Sequence, residues 1–217
     1  MFFLNKCLAG LSRGNLLPII NYQLPIIMSI PIIDKTFTNQ DFSGQKLSST
    51  EYDNCIFEQC NFMETDMSVV TFLECRFIGC NFTKVMIKQT AFRDECFFEE
   101  CKLVGANFAS CDDFMFSVKF KGCLLDYSSF YGFEIKNIQF DDCKLNGTDF
   151  TEANLTGASF LNSDLSNTIF VNTIAEKVDF TTASNFDIDP ARNRLKKAKF
   201  SKQGLSGLLR KYDIIVQ

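Results

Sequence analysis

Large apolar residues recur at every fifth position through most of this chain of 217 residues. This period fits neither the 3.6-residue repeat of an α-helix nor the two-residue alternation of a flat strand. With 46% hydrophobic residues overall, twelve successive matches would arise by chance about once in ten thousand trials for a given phase. A chain with this period must turn a corner every five residues, and we therefore predict that it coils. The first unbroken series is Phe37, Phe42, Leu47, Tyr52, Phe57, Phe62, Met67, Phe72, Phe77, Phe82, Ile87 and Phe92.

The five-residue series is interrupted twice, by one extra residue within 93–97 and by two more within 109–119. It resumes after each interruption and finally runs unbroken from Phe120 to Phe180. Extra residues in a coiled chain project from its surface, where partner-binding segments are common, although harmless bulges are the alternative interpretation. Two phenylalanines beside an acidic pair favour a functional role for the second interruption. The candidate binding residues of the two interruptions are Asp94, Glu95, Asp112, Asp113, Phe114 and Phe116.

A small residue stands two positions before most of these central residues, and it is usually Cys, Thr, Ala or Ser. Positions two apart point to the same side of an extended chain, so the large and the small residue both face inward. The three other positions of each five are mostly polar, as Asp149, Thr151 and Glu152 are around Phe150. The pattern therefore predicts a filled apolar interior and a polar surface.

The order small residue, polar residue, Leu or Phe, and two further residues recurs most regularly in CKLNG, TDFTE and ANLTG, which occupy residues 143–157. In this pattern the chain resembles the pentapeptide-repeat proteins over residues 35–185. The resemblance implies an all-β fold, a right-handed quadrilateral β-helix in which four pentapeptides form one coil. It also implies that the central Phe or Leu residues stack inside the coil.

The cysteines provide an independent check on a coil of twenty residues. In one series their separations are 20, 21, 22 and 20 residues, and the two excesses coincide with the two interruptions. This series is predicted to form one column along the coil: Cys60, Cys80, Cys101, Cys123 and Cys143. A second column is predicted for Cys55, Cys75 and Cys96, and Cys111 takes the same small position elsewhere. Nine of the ten cysteines are therefore predicted core residues, and only Cys7 lies outside the repeat.

A metal site or a disulfide framework is the alternative interpretation of these cysteines. Structural zinc ligands usually stand two to four residues apart in loops, which is not the spacing found here. Neighbouring coils place parallel Cβ atoms about 4.8 Å apart, farther than a relaxed disulfide requires. We therefore expect free buried thiols that act as small apolar groups, no metal, and a reducing cytoplasmic location.

The chain contains no histidine. This absence excludes histidine-based catalytic triads, histidine general bases and histidine-containing zinc sites. An interior filled with phenylalanine also offers no polar pocket for a reaction. We therefore expect a protein that is not an enzyme and that requires no cofactor.

The first 27 residues differ from the rest of the chain. They are apolar and contain Pro18 and Pro25, but polar residues break every apolar run well short of a membrane span. A signal peptide is the alternative, although a basic region before the first apolar run is missing. We expect 1–27 to be a disordered extension or a mis-assigned start preceding a natural start at Met28. The repeat domain is then predicted over 28–190 and a separate ending over 191–217.

The net charge of -4 is unevenly distributed along the chain. Residues 1–33 carry two bases and no acid, residues 34–190 carry 25 acids and 12 bases, and residues 191–217 carry eight bases and one acid. The three segments therefore have charges of +2, -13 and +7. The acidic middle segment disfavours direct binding of nucleic acid and favours a basic partner.

The ending of the chain is predicted to contain a short helix over 201–212. Leucine and tyrosine residues would share one face of it, followed by an apolar tip. A helix of about twelve residues is marginal alone and must bury its apolar face. It either packs on the end of the coil or, as we expect, on its copy in a homodimer. The predicted dimerisation residues are Leu205, Leu208, Leu209, Tyr212, Ile214, Ile215 and Val216.

Residues at both ends of the repeat resemble a smaller group within the pentapeptide-repeat proteins. The opening IIDKTF over 32–37, QDFS over 40–43, DIDP over 187–190 and the closing residues 208–216 are similar to the Qnr quinolone-resistance proteins and the microcin B17 immunity protein. The resemblance implies a cytoplasmic homodimer, joined through its C-terminal elements, that acts on DNA gyrase and topoisomerase IV. Qnr proteins of Gram-negative bacteria carry two longer projecting loops, whereas this chain has only one and two extra residues at the corresponding interruptions.

These features predict an acidic rod that imitates DNA on the basic surface of a type II topoisomerase. About 7.5 coils give a rod of about 36 Å, with one net negative charge per about 2.8 Å against about 1.7 Å for duplex DNA. The charges must therefore gather on chosen sides of the coil. A generic repeat scaffold or an immunity protein with another partner is the alternative. The further candidate acids are Glu99, Glu100, Asp126, Asp141, Asp142, Asp149 and Glu152.

Overall fold

Each pentapeptide forms one side of a four-sided coil, as the five-residue period predicts. The structure is a computed structural model that describes residues 30–214. Within these residues the chain winds into a β-solenoid of about eight turns, which confirms the predicted fold class. The extension predicted over 1–27, the start at Met28, and the tip residues Ile215 and Val216 lie outside the described residues.

Thirteen short parallel strands in the described residues form two ladders that follow the coil. The first ladder pairs β1, β3, β5 and β7, and the second pairs the other nine strands. The strands are β1 Ile32–Ile33, β2 Thr36–Thr38, β3 Glu51–Asp53, β4 Ile56–Glu58, β5 Thr71–Leu73, β6 Arg76–Ile78, β7 Ala91–Arg93, β8 Cys96–Glu99, β9 Val118–Lys121, β10 Gln139–Asp141, β11 Ser159–Leu161, β12 Asp179–Phe180 and β13 Lys199–Phe200. Three 3-10 helices cover Phe108–Ser110, Gln203–Leu208 and Arg210–Tyr212.

We number the four sides of the coil from 1 to 4 in chain order. Isolated bridges continue the pairing on the sides where no strand is assigned. The central residues are Ile32, Tyr52, Phe72, Phe92, Ile135, Leu155, Ala175 and Leu195 on side 1; Phe37, Phe57, Phe77, Phe98, Phe120, Phe140, Phe160, Phe180 and Phe200 on side 2; Phe42, Phe62, Phe82, Leu103, Leu125, Leu145 and Leu165 on side 3; and Leu47, Met67, Ile87, Phe108, Phe130, Phe150 and Phe170 on side 4.

The interior is built from columns of stacked aromatic rings. On side 2 each ring lies parallel to the ring one turn away, with centroids between 4.7 and 5.3 Å apart. Rings on different sides meet edge to face, as Phe57 meets Phe62 of the neighbouring side at 5.5 Å and 69°, and Phe140 meets Phe150 of the opposite side at 5.8 Å and 72°. Both arrangements suit the quadrupoles of the rings, so the columns gain more than their buried area alone provides. The excess of phenylalanine in this chain therefore reflects the stacking of aromatic rings in its core.

The cysteines lie in the predicted columns, and the nine in the described residues are free and buried. Eight of these S–H groups donate to carbonyl oxygens of the preceding turn, as Cys101 does to Phe77 at 3.3 Å and Cys96 does to Phe72 at 3.4 Å. Burial raises the pKa of the Cys96 thiol to about 12. The Cys96 thiol therefore stays protonated, and the buried cysteines act as small apolar residues with a weak donor.

The two interruptions appear as one-residue and two-residue bulges at their predicted places. Strand partners are 20 residues apart from Phe57 to Phe77, 21 from Phe77 to Phe98, and 22 from Phe98 to Phe120. At the second bulge Phe116 takes the vacated central place on side 1, where its ring meets Phe92 edge to face. The interior therefore continues unbroken past the bulge.

The predicted C-terminal helix is a pair of 3-10 helices. Gly207 is buried against Phe186, and the Ile188 N–H donates to the Gly207 carbonyl at 3.0 Å. A Cβ atom on Gly207 would lie 2.4 Å from the Phe186 carbonyl oxygen, so only glycine permits this approach. The element therefore docks on the last turn of its own chain. No helix among residues 30–214 has the length and apolar character needed to cross a membrane.

Candidate protein-binding surface

One column of left-handed residues marks a corner of side 1 along the whole coil. At this corner each φ lies between 48° and 76°, and most of the N–H groups donate to a carbonyl of the next turn. Left-handed backbone favours Asn, Asp and Gly, and such positions hold side chains away from the core. The column contains Asp34, Asn54, Glu74, Asp94, Met115, Asn137, Gly157, Lys177 and Lys197.

The first half of side 1 gathers eight carboxylates around this column and a single base, Arg93. It spans four steps of about 4.8 Å, which is about 19 Å. Seven net negative charges over that length give one per about 2.7 Å, a density between one strand of duplex DNA and the whole duplex. We call this group the acidic surface; its members are Asp34, Glu51, Asp53, Glu74, Asp94, Glu95, Asp112 and Asp113.

An apolar projection adjoins the acidic surface at the second bulge. Phe114 is 64% exposed and Met115 is 60% exposed. The Phe114 N–H donates to Asp112 Oδ1 at 2.9 Å, and the Arg93 guanidinium lies 5.4 Å from the centre of the Phe114 ring. Arg93 also forms a 2.9 Å ion pair with Asp112. One arginine therefore holds both the charged and the apolar part of the bulge.

Replacing Arg93 with alanine is expected to loosen this bulge, because the half-buried ion pair and the ring contact are both lost. We expect cleavage by chymotrypsin next to Phe114 to become at least about fivefold faster under native conditions, since local opening exposes the backbone. Arg76→Ala is the matched control, because Arg76 lies over the ring of Phe97 in a strand instead of a bulge. Equal cleavage of both variants would contradict the anchoring role of Arg93.

The predicted binding acids are distributed over all four sides of the coil. Asp94, Glu95, Asp112 and Asp113 come together in the acidic surface, Glu99, Glu100, Asp141 and Asp142 lie on side 2, and Asp126 lies on side 3. Asp149 and Glu152 lie on side 4.

The side 2 acids are interleaved with bases. Lys121 Nζ contacts Glu99 Oε1 at 2.9 Å, and this hydrogen bond and the charge of Glu99 raise the pKa of Lys121. Lys119 pairs with Glu95 at the border with side 1. Side 2 is therefore closer to neutral than the acidic surface, and it offers a weaker attraction to a basic partner.

Phe116 was expected to contact a partner, and the structure instead packs it half-buried against the core. Its ring meets Phe133 at 4.9 Å, a large residue where a small one is usual. The two extra residues displace the normal central position, and Phe116 and Phe133 together fill the resulting space. Only Phe114 of the two predicted aromatic contacts is exposed.

Four members of the acidic surface were not predicted: Asp34, Glu51, Asp53 and Glu74. The signal that identifies them is a second step of twenty, since Asp34, Asn54, Glu74 and Asp94 follow one another at that interval. Residues five positions apart in the sequence identify the core, whereas residues twenty positions apart lie on the same side of the coil.

The predicted dimerisation residues divide between the core and the surface. Leu208 packs against the core and Leu209 is half-buried, whereas Leu205, Tyr212 and Ile214 are exposed. Lys211 forms an ion pair with Asp189, and this contact lowers the pKa of the Asp189 carboxyl. Part of the element therefore serves intramolecular docking, and part remains available to a second molecule.

No group of three or more Cys, Asp or Glu side chains within residues 30–214 is arranged to hold a metal ion. The stacked thiols run in single file along the coil and do not surround a common point. The exposed acids lie on an open surface, which suits contact with another macromolecule.

A family model described as "Pentapeptide repeat region" matches residues 70–150 and 113–185. Together the two matches cover more than half of the chain, and the chain belongs to the pentapeptide-repeat family. The predicted motif over 143–157 lies within both the matched region and the coil.

The chain is also similar to several solved structures. Trypsin-treated QnrB1, a plasmid-mediated fluoroquinolone resistance protein, is 21% identical, with a TM-score of 0.48 and coverage of 88% of this chain and 99% of the other. HetL, which is involved in heterocyst differentiation regulation in the cyanobacterium Nostoc, is 18% identical, with a TM-score of 0.32 and coverage of 79% and 89%. Comparison with the curated proteins gives no match.

Proposed function

We propose that this chain is a non-enzymatic binding protein that places its acidic surface on the basic DNA-binding surface of a type II topoisomerase. The target is DNA gyrase or topoisomerase IV, and binding protects it from a quinolone or a gyrase-directed toxin. The observation that carries the proposal is the concentration of eight carboxylates on the first half of side 1.

The charge density of this surface supports the proposal. A basic groove that accepts duplex DNA gains most of its affinity from the negative charges of the phosphates, whereas contacts with bases provide specificity. The acidic surface presents net charge at a density between that of one DNA strand and that of the whole duplex. Such a surface competes for the groove without needing to be as long as the DNA.

The resemblance at the ends of the repeat gives a second support. The opening IIDKTF of the Qnr-like pattern forms β1, the turn after it and β2, and its Asp34 is the first carboxylate of the acidic surface. The free buried thiols suit the reducing cytoplasm in which topoisomerases work. The motif and the charged surface therefore point to the same class of partner.

The first experiment is a gyrase supercoiling assay with the full chain, titrated with and without a fluoroquinolone. Rescue of supercoiling at protein concentrations that do not inhibit gyrase alone is the expected result. Inhibition without rescue would contradict protection, and no effect in either arm would contradict topoisomerase as the target.

Reversing the charge of Glu74, Asp94 and Asp113 together to lysine is expected to raise the concentration needed for half-maximal rescue by about tenfold or more, because each reversal opposes a basic groove. The matched control reverses Asp126, Asp149 and Glu152, which changes the net charge equally on sides 3 and 4. Equal losses in both variants would indicate a nonspecific charge effect and contradict the assigned surface.

A generic scaffold that binds another partner is the second candidate, and the exposed Phe114 and Met115 favour it. Salt dependence separates the two candidates. Binding through the acidic surface should weaken steeply as ionic strength rises, whereas binding through the apolar projection should not. Affinity for gyrase that is unchanged between low and high salt would therefore contradict the charge-based proposal.

A further inference from the structure

Side 1 reverses its charge halfway along the coil. Its first half carries eight acids and one base, whereas its second half, from Glu134 to Lys197, carries two acids and five bases. The reversal is clearest in the corner column, which begins with Asp34 and Glu74 and ends with Lys177 and Lys197. A surface with opposite charges at its two ends is complementary to a second copy of itself, turned end for end.

The centre of side 1 is apolar. The corner column has nine levels, and Met115 occupies the fifth, with Phe114 beside it. Four levels therefore lie on either side of this projection. An apolar centre between charged ends is the usual anatomy of a protein interface.

We propose that two copies of this chain pair side by side and antiparallel through side 1. The pairing needs no topoisomerase, so it goes beyond the proposed function, and because it covers the acidic surface the two contacts exclude each other. A twofold axis parallel to the strands, at the level of Met115, places each column against its own copy. It sets Asp34 opposite Lys197 of the second copy, Asn54 opposite Lys177, and Glu74 opposite Gly157, so no like charges meet in the corner column.

Like charges meet twice in the neighbouring column, and in each of these pairs at least one member already forms an ion pair within its own chain. Arg93 would face Lys136, but Arg93 pairs with Asp112 and Lys136 pairs with Glu134. Asp53 would face Glu176, whose carboxylate lies 2.7 Å from Arg194. The remaining contrast between the two halves therefore favours the antiparallel arrangement.

The alternative contact, predicted at the C-terminal element, has less favourable charge. Residues 192–211 carry eight bases, so joining two of these ends brings like charges together. Side 1 instead brings each basic end to an acidic half. The area is modest, about 38 Å by about 10 Å per copy, which is below the size of a stable interface. The dimer is therefore expected to be weak and sensitive to salt.

Sedimentation velocity of the full chain over a range of concentrations measures this self-association. We expect dimerisation at about 20 mM salt and its loss at about 500 mM, where the screening length is a few ångström. Association that is equal at the two salt concentrations would contradict the proposal, as would a chain that stays monomeric at every concentration.

Two charge-reversed proteins sharpen the test. One carries Asp34→Lys and Glu74→Lys, and the other carries Lys177→Glu and Lys197→Glu. Each should self-associate at least about tenfold more weakly, because like charges then face each other. Lysine and glutamate already occupy left-handed corners elsewhere, at Lys84 and Glu152, so both proteins should fold, which circular dichroism can check.

Restoring dimerisation by combining the two sets of reversals distinguishes a contact through side 1 from every other contact. An equimolar mixture of the two reversed proteins should form a heterodimer, and the chain with all four reversals should form a homodimer again. Dimers that persist in each reversed protein and disappear in Leu205→Glu would overturn the proposal in favour of the C-terminal contact. A mixture that stays monomeric would also overturn it.

Discussion

Replacing Phe140 with alanine is expected to lower the free energy of unfolding by about 3 to 5 kcal/mol, the usual cost of deleting a buried aromatic ring. Phe140 is fully buried, and it stacks on Phe120 at 5.3 Å and on Phe160 at 5.1 Å. The rings above and below are held by strand pairing and cannot close the space. The cavity therefore remains, and chemical denaturation of the reduced protein measures its cost.

Phe114→Ala is the matched control, because it deletes the same ring from an exposed position. The ring of Phe114 contacts the guanidinium of Arg93 at the surface, so its loss should cost no more than about 1 kcal/mol. If both substitutions destabilise the protein equally, the ring columns cannot be the main source of stability.

Raising the pH from about 8 to about 10 is expected to destabilise the protein by about 6 kcal/mol through three buried thiols alone. Burial raises the pKa of Cys75, Cys96 and Cys111, with Cys96 reaching about 12. An unfolded thiol ionises near pH 8.5, so above this pH the unfolded chain loses protons that the folded chain retains. The stability contributed by these thiols is complete below pH 8.5 and declines as the pH rises toward 12.

Denaturation at a series of pH values, with a reducing agent present, measures this decline. Cys96→Ala should reduce its slope by about 1.4 kcal/mol per pH unit above pH 9, which corresponds to one proton. Alanine already fills the small position at Ala153 and Ala158, so the variant should fold. An unchanged slope would mean that the Cys96 thiol ionises as readily in the folded chain as in the unfolded one.

The core and the coil follow from the sequence because one physical constraint fixes both. A buried residue at every fifth position requires the chain to bend at a corner every five residues. The spacing of Cys60 and Cys80 indicates that one full coil contains twenty residues. The bulges were also predictable, since a break in the series must project. The 3-10 geometry of the ending was not, because it depends on the contact between Gly207 and Phe186.

The candidate surface was only half predictable. The acids at the bulges stand out because they interrupt a pattern, whereas Asp34 and Glu74 belong to regular repeats and carry no local signal. They belong to the acidic surface only because residues twenty positions apart lie above one another. This alignment depends on the length of a whole turn, and a single pentapeptide does not reveal it. The inward position of Phe116 likewise depends on space left by another residue of the bulge.

The place of a residue around the coil acts as a phase with a period of twenty residues. Inserting twenty residues would lengthen the rod and leave every side chain on its side, whereas inserting five would rotate all later side chains by a quarter turn. The two bulges add three residues between Phe77 and Phe120. These extra residues project from the coil, and the residues after them stay on the same sides as before. Lys177 and Lys197 therefore stay in line with Asp34 and Glu74. The alignment of charges depends on how insertions are absorbed as much as on which residues are charged.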